Sequence, residues 1–299
     1  MDMRVGAFEL NEPLPELREP YAFAMLRPWI DVGGVGSNSL SVLESHYDAQ
    51  RLGGLRRPGI FYDFTRYRPT VFRVGGQRQI RIPNTFVSYA RGQGEHDYLF
   101  FHCLEPHMLG ETYAQSILNV LEKLGARKYI TIGSMYDSVP HTRPLRVSGS
   151  TSDPALEAAM DEINVGRSTY QGPTTINILV ADRAPSLSIQ TMTLVVHLPS
   201  YAQLEEDHTG QHALLSLLSR LYGFSLDMDR VLQKGREQYR ELDIAVKGNA
   251  QMEELVKLME MNYDAKASQK GGEQHEQPPQ LSPEIERFLR EVDSEPDSQ

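Results

Sequence analysis

Cysteine is nearly absent from this sequence of 299 residues, in which Cys103 stands alone. A single cysteine cannot form an intramolecular disulfide, and it cannot supply a zinc site built from several cysteines. The sequence also lacks an apolar run of the ~18–20 residues that a membrane-spanning helix needs. These absences predict a protein of the reducing cytoplasm that does not enter a membrane and is stabilised by packing.

Basic residues are also in short supply. The chain has 30 Lys and Arg against 40 Asp and Glu, and its net charge is −10. This balance argues against nucleic acid as the main partner, because phosphate-backbone binding needs a basic surface. Residues 1–20 hold five acids and three prolines without a continuous apolar core, so they predict an extended N-terminal arm and no secretory signal.

The remaining composition is that of an ordinary globular protein, with 40% hydrophobic and 23% charged residues. Asp97–Leu104 is a continuous apolar run and predicts a strand buried on both faces. An amphipathic helix follows from Pro106 to Gly125, and Lys128–Ile132 predicts the next strand. Strand, helix and strand at this spacing form a βαβ unit, which implies parallel strands in an α/β fold.

Two further segments have a clear local pattern. Val71–Val74 and Gln79–Ile82 flank Gly75-Gly76-Gln77, which predicts a β-hairpin with a short glycine turn. The second pattern begins after Gly223 and has a small or apolar residue every four or three positions. Its members are Met228, Leu232, Gly235, Tyr239, Leu242 and Val246.

These six residues form a stripe, and they predict one helix of a helical hairpin over residues 225–264. The stripe either covers the chain's own α/β domain or forms an interface with another protein, and we expect the interface to use Met228, Leu232, Tyr239, Leu242 and Val246. From residue 265 to 299 the sequence is rich in Gln, Glu, Pro and Ser, which predicts a disordered polar tail.

Chemically capable side chains lie mainly in the segments that follow predicted strands, where α/β proteins place their sites. Val139-Pro140-His141-Thr142-Arg143-Pro144 is stiffened by two prolines and presents an imidazole beside a guanidinium. The candidate ligand site consists of Asp31, Glu105, Asp137, His141 and Arg143. No nucleophile accompanies them, so no catalytic residue is assigned. In the alternative interpretation, Arg143 pairs with a nearby carboxylate and fixes a turn.

No metal and no cofactor is predicted. His102 and Cys103 are neighbours in a predicted strand, so their side chains point to opposite faces and cannot share one ion without a bend. Ordinary packing explains both residues.

The order of five motifs resembles the proteasome assembly chaperone family, in its second-subunit type and especially its bacterial branch with a C-terminal helical hairpin. The motifs are Trp29-Ile30-Asp31-Val32-Gly33, Arg68-Pro69-Thr70-Val71, Glu105-Pro106, Gly133-Ser134 with Val139–Pro144, and Val196-His197-Leu198-Pro199-Ser200-Tyr201. The resemblance extends from about Tyr21 to Asp264.

The resemblance implies a three-layer α/β/α domain over residues 21–224, related to nucleoside phosphorylases, with a mixed and mostly parallel sheet. It also implies a non-enzymatic assembly-chaperone-like protein that binds protein partners, among them proteasome subunits, and that forms a homo-oligomer, for which we expect a trimer. The last residues, Asp297-Ser298-Gln299, depart from the hydrophobic-Tyr-any tripeptide with which some relatives insert between proteasome α-subunits. The alternative function is a ligand-binding protein or a hydrolase- or phosphorylase-like enzyme that uses the loops at the strand ends.

Overall fold

The computed structural model describes residues 2–163, 165–168 and 170–269. Over these residues, ten strands form one sheet and two more form a separate hairpin. The strands are β1 (Asp2–Val5), β2 (Phe8–Asn11), β3 (Tyr21–Arg27), β4 (Gln50–Leu55), β5 (Thr70–Val74), β6 (Gln77–Arg81), β7 (Phe86–Ala90), β8 (Tyr98–Leu104), β9 (Lys128–Asp137), β10 (Val147–Thr151), β11 (Gly166–Arg167) and β12 (Gln190–Pro199).

The large sheet has the strand order β1-β2-β4-β7-β8-β3-β9-β12-β10-β11. Its centre, β8-β3-β9-β12, is parallel, as the βαβ pattern predicts. Strands β1, β2, β4 and β7 pair antiparallel, as does β10 with β12. The α/β class is confirmed, but a mostly parallel sheet is wrong. The sheet is mixed because short flanking strands, which lack a long apolar run, extend the buried parallel centre.

Helices cover both faces of the sheet and create two hydrophobic cores. The alternation of side chains along β8 supplies both cores, with Leu99 and Phe101 on one face and Tyr98 and Phe100 on the other. Helices α2 and α4 pack on the first face, and α1 and α5 on the second. The helices are α1 (Val35–His46), α2 (Gly110–Lys123), α3 (Pro154–Glu162), α4 (Ile176–Arg183), α5 (His208–Tyr222), α6 (Asp229–Lys247) and α7 (Ala250–Gln269).

The N-terminal residues differ from the extended arm that the sequence predicts. Strands β1 and β2 form a hairpin, and β2 pairs with β4 at the edge of the sheet. Phe8 and Leu10 are fully buried and alternate with more exposed residues, which is the period of a half-buried strand. Where β2 and β4 pair, a Cβ on Gly53 would collide with the carbonyl oxygen of Glu9. The close pairing of the two strands therefore requires glycine at this position.

Helix α2 begins at Gly110, four residues after the predicted start at Pro106. The backbone N–H groups of His107 and Met108 donate to the carbonyl oxygen of Phe61 instead of entering the helix. Leu109 then has a φ of +53°, which ends this loop before the first helical turn.

Helices α6 and α7 follow a left-handed residue, Gly223, and are joined at Gly248 and Asn249. Helix α7 continues to Gln269, five residues into the segment predicted as a disordered tail. The rest of that predicted tail, residues 270–299, lies outside the described residues. Among the helices that the structure describes, none is long and apolar enough to cross a membrane.

Candidate functional site

The five residues of the predicted ligand site lie at the expected edge of the sheet but do not share one cavity. Asp31 follows β3, Glu105 follows β8 and Asp137 ends β9. His141 and Arg143 lie in the loop between β9 and β10. Each side chain is engaged by a different part of the chain.

Asp31 stabilises the start of α1. Its Oδ1 accepts the backbone N–H of Ser37 at 3.0 Å, and the side chain is buried. The tight turn between them uses Gly33 and Gly34, both with φ near +59°, a conformation that favours glycine. Burial raises the pKa of Asp31, although the hydrogen bonds from Ser37 oppose this effect. The hydrogen bond to the start of α1 therefore explains why a carboxylate lies at this position.

Glu105 lines a cavity of about 330 Å³ beside the ends of β3 and β8, together with Trp29, Arg66 and His107. Its Oε1 accepts the N–H of Ile176 at 3.1 Å, whereas Oε2 is buried without a hydrogen-bond partner. Burial raises the pKa of Glu105. A second cavity, of about 700 Å³, shares Arg66 and His107 with the first. Of the five predicted residues, Glu105 is the one placed at these cavities.

Asp137 pairs with His197 of β12. Its Oδ2 lies 2.8 Å from His197 Nδ1, and its Oδ1 accepts the N–H of Ser138 at 2.7 Å. On the other side of the imidazole, Nε2 lies 2.7 Å from Ser148 Oγ. Burial raises the pKa of Asp137, but His197 and the Ser138 N–H outweigh it and hold the pKa below its usual value.

The sequence reasoning missed His197 and Ser148 as partners of Asp137. The register of β9, β12 and β10 brings the three together, although the sequence separates Ser148 from His197 by 49 positions. The motif Val196–Tyr201 pointed to His197, but Ser148 lies in a short strand that the sequence pattern did not predict.

His141 is buried beneath α6. The hydroxyl oxygen of Tyr201 accepts the His141 backbone N–H at 2.8 Å and lies 2.7 Å from the ring Nδ1. Nε2 is 3.8 Å from Asp243, on α6. Burial lowers the pKa of His141, and the charge of Asp243 only partly opposes this. The imidazole therefore serves as a buried contact between the loop and α6.

Arg143 is held by two carboxylates of α7. Its Nε and Nη2 bind Asp264 at 3.0 and 2.8 Å, and Nη1 lies 3.2 Å from Glu260. Tyr263 adds a hydrogen bond to the carbonyl oxygen of Pro144 at 2.9 Å. Arg143 therefore pairs with carboxylates, as the alternative interpretation expects, but these belong to α7 and join the loop to that helix instead of fixing a turn within the loop.

The stripe of six residues, which we call the α6 stripe, faces the chain's own helix α5. The hydroxyl of Tyr239 donates to Asp207 at 3.0 Å, and Asp207 also caps α5 by accepting the N–H of Gly210 at 2.7 Å. A Cβ on Gly235 would lie 2.8 Å from Thr209 Oγ1, so the two helices meet closely. Val246 is buried, and Met228, Leu232 and Leu242 are half-buried.

The separate hairpin β5–β6 has a basic and apolar surface that the sequence analysis did not identify. We call residues 68–82 the basic arm. Its four charged residues are all arginines: Arg68, Arg73, Arg78 and Arg81. Four large apolar side chains on it are 49–57% exposed: Val71, Val74, Ile80 and Ile82. The hairpin itself is confirmed, with its turn at Gly75 and Gly76.

Within the described residues, no group of three or more His, Cys, Asp or Glu side chains is arranged to hold a metal ion. Cys103 is buried, and burial raises the pKa of its thiol to about 12. The thiol therefore stays protonated and has no reactive character.

Comparison with known proteins gives one family. The PAC2 family model matches residues 25–246. A crystal structure of a PAC2 family protein from Streptomyces avermitilis is similar to the chain, with 27% identity and a TM-score of 0.70, covering 79% of this chain and 99% of that one. Among curated proteins, no match is found.

Two more distant structures show the same fold. A proteasome-assembly chaperone homologue from Mycobacterium tuberculosis has 21% identity and a TM-score of 0.70, with coverage of 79% of this chain and 99% of that one. An archaeal proteasome activator from Pyrococcus furiosus has 14% identity and a TM-score of 0.63, with coverage of 80% and 99%.

Proposed function

The chain belongs to the PAC2 family, and from this premise we propose that it is an assembly-chaperone-like protein that binds a protein partner through the basic arm. Proteasome subunits are the proposed partners. Two observations support a protein-binding role. One is the similarity to a proteasome-assembly chaperone homologue and to an archaeal proteasome activator. The other is the unusual surface of the arm itself.

The observation that carries the proposal is the charge distribution around the arm. Nine of the 30 basic residues, but only one of the 40 acidic residues, lie between Arg51 and Arg91. This segment has a net charge of +8, so the rest of the chain has −18. Arg56 and Arg91 pair with Glu9 and Asp97 from outside the segment, whereas the arm itself has four arginines and no acid. A basic patch on an acidic protein attracts acidic surfaces and aligns the two partners before contact.

The arm has little internal stabilisation beyond its strand ladder and the contact of Arg81 with the Phe72 ring. Arg73 and Arg78 are directly opposed across the two strands, and like charges in this position repel. Val71 and Ile80, the next cross-strand pair on the same face, are 52% and 57% exposed. A two-stranded hairpin without a covering layer is marginally stable in water. Carboxylates flanking an apolar groove on the partner would relieve both deficits.

Affinity purification from the native cell, followed by mass spectrometry and by binding to purified proteasome α-subunits, tests this proposal. We expect the full chain to retain α-subunits. The double variant R73E/R78E should bind them at least about tenfold more weakly, because each arginine changed to glutamate turns an attraction to a partner carboxylate into a repulsion that costs roughly 1 kcal/mol of binding free energy. The matched control is K234E/R236E, which reverses two exposed charges on α6.

Each outcome decides a different part of the proposal. If the unaltered protein retains no proteasome subunit, the proteasome link is wrong. If R73E/R78E binds as tightly as the control, the basic arm is not the docking surface.

We further propose a homo-oligomer, with a trimer as the expected state, acting in the cytoplasm, where a buried free thiol such as Cys103 stays reduced. Because the α6 stripe faces the chain's own helix α5, we place the proposed self-association on another surface. The outer sides of α6 and α7 support this, since Ile244, Leu258 and Met261 are 61%, 47% and 70% exposed.

A further inference from the structure

Three side chains from adjacent strands form a hydrogen-bonded chain on the sheet face opposite α1 and α5. Asp137 ends β9, His197 lies on β12 and Ser148 lies on β10. His197 Nδ1 is 2.8 Å from Asp137 Oδ2, and His197 Nε2 is 2.7 Å from Ser148 Oγ. Carboxylate, imidazole and hydroxyl are therefore linked in that order through the two different ring nitrogens.

This order matches the geometry that activates a serine. A carboxylate that accepts Nδ1–H fixes the imidazole tautomer and leaves Nε2 free to take the hydroxyl proton. Asp137 is suited to the first role because it also accepts the N–H of Ser138 at 2.7 Å and has a pKa below its usual value. These contacts favour the His197 tautomer that has its proton on Nδ1 and a free lone pair on Nε2.

The group is reachable from solution. The side chains of His197 and Asp137 are 16% and 40% exposed, and Ser148 is half-buried. Arg146 continues the ladder of β10, since its carbonyl oxygen accepts the N–H of His197 at 2.9 Å. Residues two apart on a strand share a face, so Arg146 and Ser148 lie on the same side of the sheet.

The guanidinium of Arg146 lies 4.6 Å from the centre of the Tyr263 ring, and its charge helps to lower the pKa of Asp137. Arg146 therefore acts electrostatically on the carboxylate end of this group. A positive charge on this side of the sheet favours the negative charge that develops on a carbonyl oxygen under attack.

We propose that Ser148 is a nucleophile toward carboxylic esters, with His197 as its general base and Asp137 as the positioning residue. Ser148 Oγ adds to the ester carbonyl carbon while its proton passes to His197 Nε2. The tetrahedral adduct expels the alcohol, which takes that proton, and leaves an acyl-serine. Water then attacks the acyl-serine by the same route, which releases the carboxylic acid and restores the serine.

A fluorophosphonate probe tests this proposal on the full chain, because it forms a stable phosphonyl-serine with loss of fluoride only at activated hydroxyls. Peptide mapping should place the label on Ser148, and hydrolysis of p-nitrophenyl acetate should accompany it. S148A should abolish both, and H197Q should lower the labelling rate about 100-fold or more. D137N should lower the rate, with partial recovery in D137E, which a purely structural loss would not give.

The matched control is Ser150→Ala, two residues further on the same strand face and exposed. It should leave labelling of Ser148 unchanged. The proposal is overturned if Ser148 of the unaltered protein takes no label, or if a folded H197Q variant is labelled at the original rate. The first result needs no variant, so a variant that fails to fold does not leave the question open.

Discussion

The carboxylate of Asp97, just before β8, is buried and bound by two arginines. Its side chain is fully buried and lies 2.7 Å from Arg18 and 2.8 Å from Arg91. It also accepts the backbone N–H groups of Arg18 and Gly92 at 2.8 and 3.0 Å. Burial alone would raise its pKa, but these donors outweigh burial and lower the pKa to about 2. Asp97 thereby ties the segment before β3 to β8.

We predict that Asp97→Asn lowers the free energy of unfolding at pH 7 by about 2 kcal/mol. An aspartate has a pKa near 3.9 in an unfolded chain, so the lowered folded-state pKa contributes stability above about pH 4. This contribution is lost as the pH falls from about 4 through about 2. Urea unfolding of both proteins across this range measures the effect.

The control for this measurement is Asp182→Asn, which changes an exposed residue of α4. Its stability should follow that of the unaltered protein at every pH. A difference between Asp97→Asn and the unaltered protein that stays constant between pH 7 and pH 2 contradicts the assignment.

At the scale of single residues, the sequence predicted which side chains stand at the strand ends but not what they touch. Arg143 shows why. Its partners, Glu260 and Asp264, lie on α7, more than 110 positions later in the chain. Asp137 meets Ser148 only through strand register. Neither contact leaves a local pattern, so the sequence places these residues at the strand ends without revealing that each is engaged by a different part of the chain.

Among the elements, those with a strong local pattern were predictable. β8 is an unbroken apolar run, and the hairpin β5–β6 contains two turn glycines. By contrast, β4 contains Gly53 and Gly54, which weaken any strand pattern. Gly53 is required by the approach of β2, a contact between distant parts of the chain that no local rule reveals. Flanking strands of this kind decide whether the sheet is mostly parallel or mixed.

For α6, the double variant L232D/L242D distinguishes a stripe that covers the chain's own domain from one that joins two copies. Both leucines are half-buried and lie three positions from Gly235 or Tyr239, the stripe residues that contact the start of α5, so we predict a loss of about 2–4 kcal/mol in stability. Hydrogen exchange should then become faster in α6 and in the first turn of α5. Chemical unfolding and exchange mass spectrometry measure both effects.

Ala245→Asp is the matched control, since this residue is exposed on the same helix and is not among the side chains proposed for self-association. It should leave the stability within about 0.5 kcal/mol of the original value. If L232D/L242D remains as stable as Ala245→Asp but loses self-association, the stripe is an interface and our assignment to the core is wrong.

On the scale of the whole molecule, the charge separation limits how copies of the chain can meet. The segment Arg51–Arg91 has a net charge of +8 and the rest of the chain a net charge of −18. The acidic regions of two copies therefore repel each other. At ~0.15 M salt this repulsion is screened beyond ~8 Å. We therefore expect the proposed self-association to depend on short-range apolar contact, for which the C-terminal helices offer exposed side chains.

We predict that the purified protein has a mass near three times 33.8 kDa by light scattering at moderate salt. The double variant L258D/M261D should shift the mass toward that of the monomer, because it places two charges in a surface that must lose water on assembly. The positions are 47% and 70% exposed in the single chain, so folding should be unaffected.

The control is Val74→Asp, which changes an exposed residue of the basic arm and should leave the mass unchanged. A concentration-independent mass of 33.8 kDa for the unaltered protein contradicts the oligomer, and an unchanged mass in L258D/M261D moves the interface elsewhere.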